Sequence, residues 1–250
     1  MYIHIPAIDW LPVVGGPLLA AALFVGAMAK AGRRAGFPVN ETRVAIAAVA
    51  IFLLVWLCAY AYLAARGIFS FNAAIPIPVL PIALLIPLIL AVIAFQTVPP
   101  LRAIAQEIPQ EHLIGIQIVR LMGFAFLLLL AQSLLPPVFA LPAGLGDMLV
   151  GFEAIIVARS YARRAPLAPA TGLLFNLTGI ADFALALGIG FLASTTPLRL
   201  IHVSPSTDLI TVLPLVLVPV FGVPLFLMLH VLSLRRVISE LKLRTRVVPV

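Results

Sequence analysis

A small set of side chains could do chemistry inside an otherwise apolar chain: Gln117, Arg120, Asp147, Glu153, Asn176, Asp182 and His230. Each lies in or beside a long run of aliphatic residues. Ionisable groups at bilayer depth are costly, and they face a protein interior or a water-filled cavity. Arg120 among carboxylates either counters an anionic ligand group or balances Glu153 and Asp182. Burial disfavours the charged form of a carboxyl group, so Glu153 and Asp182 are candidate proton carriers.

Each of these residues also has a bland reading. Arg120 can lift its head toward the nearer headgroup layer, or form a pair that only fixes helix register. Asp147 follows Pro142-Ala143-Gly144-Leu145-Gly146, which suits a carboxylate at a helix start. Its functional alternative is an outer vestibule lined by Asp147 and the backbone N–H groups of Gly144 and Gly146. Asn176 suits an interhelical hydrogen bond. His230 suits a carbonyl freed by a nearby proline.

Metal chemistry has little support in the pattern. The histidines are His4, His112, His202 and His230, with no pair at i, i+4 and no H-E-x-x-H. The one cysteine, Cys58, excludes an intrachain disulfide and a multi-thiolate site. No metal site is expected, and no cofactor is indicated.

Composition says what must position these residues. The 250 residues are 63% hydrophobic and 10% charged, with a mean hydropathy of +1.20. A soluble domain carries about 25% charged residues. The chain is therefore read as an integral membrane protein whose main partner is the lipid bilayer. The net charge of +7 would suggest nucleic acid in a soluble protein. Here the basic residues cluster beside apolar runs, as orientation signals do, so no nucleic-acid partner is expected. The N-terminus lacks the basic start of a cleavable signal peptide.

Seven helices are expected, at about 15–32, 43–65, 79–98, 113–135, 142–161, 170–193 and 208–234. Helix 1 has small residues, with Ala22 and Gly26 at small-xxx-small spacing. The alternating prolines of 67–81 predict an extended segment. Pro87 predicts a kink in helix 3, and Pro214, Pro219 and Pro224 predict an interrupted helix 7. The mixed stretch after Pro99 and Pro100 reads as an interfacial segment. Residues 1–236 form one seven-helix membrane domain in this reading, and 237–250 a basic cytoplasmic tail.

Loop charges set the orientation. Of the 16 lysines and arginines, Arg66 and Arg199 fall on one side and Arg120 lies within helix 4; the others fall on the opposite side. The expected fold class is an all-α seven-transmembrane-helix bundle, N-terminus outside and C-terminus cytoplasmic, with proline-kinked helices 3 and 7. A bacterial-type cytoplasmic membrane is the expected location. At about 1.5 Å per residue through a core of about 30 Å, helices 4, 5 and 6 bring Gln117, Arg120, Glu153, Asn176 and Asp182 to overlapping levels. On helix 4, Gln117, Arg120, Phe124 and Gln132 share one broad face at about 100° per residue. On helix 6, Thr171, Thr178 and Asp182 form a second stripe.

No known seven-helix family lends a function. Microbial rhodopsins carry a retinal lysine in helix 7, and this helix 7 has none. Pro109-Gln110 is a single copy, where PQ-loop transporters have a pair. The closely spaced histidine pair of seven-helix metal-dependent membrane hydrolases is absent, as is G-x-S-x-G. The favoured expectation is a polar chamber between helices 4–7 that binds, and moves, a small polar or ionic ligand or a proton. The alternatives are an intramembrane acid–base enzyme, a non-catalytic scaffold, and a haem or metal protein. A homo-oligomer is compatible with each.

Overall fold

The structure, a computed structural model, describes residues 10–70 and 79–247, the side chains of 244–247 excepted. The extended reading of 71–78, His4 and the last three residues of the tail lie outside the described residues. Seven helices are long and apolar enough to cross a membrane: helix 1 (Leu11–Gly32), helix 2 (Val39–Ala65), helix 3 (Val79–Thr97), helix 4 (Gln110–Ala131), helix 5 (Pro137–Ala162), helix 6 (Ala168–Leu192) and helix 7 (Val218–Leu243). No strand occurs among the described residues. The chain is an all-helical integral membrane protein.

Several boundaries differ from the sequence reading, each for a local reason. Helix 5 starts at Pro137, five residues before the expected start, because proline needs no donor partner in a first turn. Pro142 is thus inside the helix. Helix 7 starts at Val218, not 208. Asp208–Thr211 make one 3₁₀ turn and Val212 is extended, so the chain cannot run on as helix. Past position 236 the chain remains helical to Val247. The stretch after Pro99 is a short helix, Pro99–Glu107, with Leu101 and Ile104 buried. The Arg236 guanidinium donates to the carbonyls of Gln106 and Ile108 at its end, where helix carbonyls lack intrahelical donors.

Two internal prolines expose backbone carbonyls, and helix 2 supplies the donors. Pro87 cannot donate to Ala83, and the Tyr60 hydroxyl donates to that carbonyl at 3.0 Å. Pro224 cannot donate to Val220, and Trp56 Nε1–H donates there at 3.1 Å. The Trp56 ring also packs 4.7 Å from Phe221. Helix 7 is the central post, with 67% of its apolar window buried against 17% for helix 2. It packs on helices 6 and 3, while helix 5 packs on helices 4 and 6. Helix 1 packs on helix 2 and the middle of helix 4.

Candidate functional site

Helix 4 changes its winding where it carries its polar residues. Ile116–Gly123 is 3₁₀, between α-helical turns on either side. A 3₁₀ segment has three residues per turn, so residues three apart eclipse. Gln117, Arg120 and Gly123 therefore stack on one buried face. Phe124 is 41% exposed and Gln132 is also exposed. The expected common face with Arg120 is thus corrected, because it assumed α-helical winding throughout.

Arg120 is 3% exposed and holds the centre. Its Nε donates to Asp147 Oδ1 at 2.7 Å. Its Nη2 donates to Asp182 Oδ2. Its Nη1 lies 3.2 Å from His230 Nε2. The guanidinium carbon sits 3.9 Å from the centre of the Phe183 ring, within cation–π range. Four helices thus converge on one side chain.

The network continues toward the basic end. His230 Nδ1 is 3.0 Å from Asn176 Oδ1. Guanidinium has no acceptor, so His230 Nε2 must accept and Nδ1–H must donate to Asn176. Asn176 Nδ2 donates to Ser233 Oγ at 2.9 Å and to Gly172 O at 2.7 Å. Gln110 Nε2 donates to Ser233 Oγ at 2.7 Å, and Gln117 Nε2 donates to Phe226 O at 3.1 Å. His230 therefore bonds side chains, not the proline-freed carbonyl expected of it.

Three glycines make this convergence fit. A Cβ on Gly123 would collide with the Asp147 side chain, one on Gly146 with the Asp182 carboxylate, and one on Gly179 with the His230 ring. Each seat lies on the helix preceding the polar residue it receives. Gly146 is helical and its role is to leave space, not to line a vestibule.

Asp147, ten residues into helix 5, is an ion-pair partner and not a cap. Glu153 stands apart: it is half-buried and its buried Oε2 has no hydrogen-bond partner. Six residues after Asp147, it is turned about 240° around the helix. Thr171 and Thr178 bond carbonyls of their own helix. The inward face of helix 6 is Gly172, Asn176, Gly179 and Phe183 instead. Sequence reasoning missed Gln110, Phe183, Ser233 and the glycine seats. The available signal was spacing: Gly179 lies three residues from both Asn176 and Asp182, and Ser233 three from His230.

A cavity of about 480 Å³ meets this network from the other end of the bundle. Asp147, Asp182 and Phe183 line it at depth, with Phe126, Phe139 and Ala186 along its walls. Arg66, Ser70, Thr207 and Asp208 line it nearer the helix ends. The loop there is ordered by Asp208, which accepts from Thr195 N–H at 2.8 Å and from Ser206 Oγ at 2.9 Å. Among the described residues, no three His, Cys, Asp or Glu side chains gather as a metal site.

No curated protein and no solved structure matches the chain. A family model described as "Domain of unknown function (DUF8737)" matches residues 77–238. That span takes in helices 3–7 except the last residues of helix 7, and so every side chain of the Arg120 network. The chain belongs to this DUF8737 family.

Proposed function

We propose that this protein binds a small polar or ionic ligand in the cavity between helices 3–7, as a first step in moving it. The observation that carries this reading is a cavity of about 480 Å³ with two ion-paired carboxylates at its inner end. Ligand sites combine an apolar wall with a few placed polar groups, in volumes of about 300–1,000 Å³. With the N-terminus outside, as loop charge directs, the mouth near Arg66 and Thr207 faces out. The C-terminal end of helix 7 then faces the cytoplasm.

A second reading, a structural lock with no ligand, is favoured by a different observation. Every nitrogen of the Arg120 guanidinium already has a partner within the protein. Such a network fixes helix register by itself.

Thiol labelling in intact cells tests the first reading. Cys58 is exposed and is first replaced by serine. Single cysteines are then placed at Ser206, Ala186, Ala154 and Arg34. A membrane-impermeant reagent added outside should label Ser206→Cys at the rim and Ala186→Cys in the wall. It should spare Ala154→Cys, which is 0% exposed, and Arg34→Cys on the opposite side. An inert Ala186→Cys beside a reactive Ser206→Cys would close the cavity and leave the lock. Labelling of Arg34→Cys together with Ser206→Cys would overturn the orientation.

A further inference from the structure

We propose that the cavity selects an amphipathic organic cation, such as an alkyl- or arylammonium ion, and rejects anions; this rests on the ligand-chamber reading above. The charge count is the first argument. Two carboxylates, Asp147 and Asp182, share one guanidinium. His230 adds no positive charge while its Nε2 accepts from Arg120, because an imidazolium has no acceptor. With both carboxylates ionised, the inner end of the cavity therefore lacks one positive charge, a vacancy that a cation and a proton on Asp182 compete to fill. Uncompensated charge away from water is strongly unfavourable, so the vacancy favours a cationic occupant.

Arg120 does not offer the opposite selectivity. It is 3% exposed, lies behind the two carboxylates, and has Phe183 against its guanidinium carbon. It is absent from the cavity lining, whereas Asp147 and Asp182 are part of it. An anion entering would meet carboxylates before it met the arginine. Arg66 at the rim is exposed, where salt screens its charge. Asp208 stands at the same end with the opposite sign.

The walls give the rest of the ligand. Phe69, Phe126, Phe139, Phe183 and Phe191 line the cavity with aliphatic residues between them. Phenyl rings attract ammonium groups and also bury hydrocarbon. A small inorganic cation would leave that apolar wall unused. A monocation carrying one hydrocarbon group satisfies both the charge vacancy and the wall.

The test compares reagents at Ala186→Cys in the Cys58→Ser protein. A trimethylammonium-bearing and a sulfonate-bearing thiosulfonate of similar size are applied, and their rate ratio is divided by the ratio at Ser206→Cys. The cationic reagent should be favoured at Ala186→Cys by roughly tenfold over the rim. Benzyltrimethylammonium should slow the labelling of Ala186→Cys, and benzenesulfonate should not. Asp182→Asn and Asp147→Asn, each made alone, should reduce the charge preference. The unmodified acids already give the decisive comparison if either variant fails to fold. A corrected ratio near one, or one favouring the sulfonate, would overturn the cation assignment while leaving an open chamber. Failure of both reagents to react would instead remove the chamber reading itself.

Discussion

Arg120 lies between Asp147, Asp182 and His230 with almost no exposed surface. Removing one member of a buried charge network leaves its partners uncompensated, at a cost of about 3–5 kcal/mol. Replacing all members with apolar residues of similar volume is often neutral or stabilising. Arg120→Met should therefore lower stability in detergent by about that amount, and Arg120→Met with Asp147→Leu and Asp182→Leu should regain most of it. Thermal unfolding of the three proteins checks this; an unchanged midpoint for Arg120→Met would deny the network its energetic role. The sequence placed an arginine and several acids at overlapping depth, because depth follows from position along an apolar run. It offered Glu153 and Asp182 as partners of Arg120; Asp182 pairs, and Asp147 takes the place expected of Glu153. Asp147 looked like a helix cap because helix 5 was started at 142, and the structure starts it five residues earlier. Glu153 looked equally deep, but depth says nothing about direction around the helix. The seats at Gly123, Gly146 and Gly179 were illegible too, since a lone glycine in a membrane helix has many uses.

Helix 2 has the smallest buried share of the spans, yet it serves two others through its aromatic side chains. Its Tyr60 hydroxyl and Trp56 indole take up the carbonyls that Pro87 and Pro224 leave open. Away from water, an unpaired carbonyl is destabilising. Interhelical hydrogen bonds in membranes are worth about 0.6–2 kcal/mol, so Tyr60→Phe should cost about 1 kcal/mol. Tyr62, two residues on, is 62% exposed and its hydroxyl accepts from the exposed Arg66 side chain. Tyr62→Phe is therefore the matched control and should change stability by less than about 0.5 kcal/mol. Equal losses in the two variants would contradict the carbonyl assignment. The seven spans were legible because each is a long apolar run. Most of their C-terminal ends were legible too, to within one residue for helices 1, 2, 3, 5 and 6, whereas helix 4 ends four residues earlier than expected. Ser133 (φ 58°) and Arg164 (φ 51°) occupy left-handed positions after helices 4 and 5, where glycine is the customary residue. Gly67 (φ 71°), two residues past helix 2, matches that expectation, and Gly36 (φ 72°) lies four residues past helix 1.

At the scale of the whole molecule, lipid tails are as apolar as leucine, so hydrophobicity does little to choose one helix neighbour over another. The glycine seats and the polar side chains they receive do choose, because each side chain fits a seat on the helix made before it. Arg120, Gln110 and Gln117 lie before the loop at 132–136, while Asp147, Asp182, His230, Ser233 and the Phe226 carbonyl lie after it. The network therefore acts as an address shared between two halves of one chain. Cut in that loop, the protein should still know how to reassemble. Fragments 1–133 and 134–250, produced together in one membrane, should purify as a stoichiometric complex. Arg120→Met in the first fragment should abolish that recovery, whereas Arg102→Met, at an exposed position, should not. Equal recovery of both variants would mean that the halves recognise each other by shape alone.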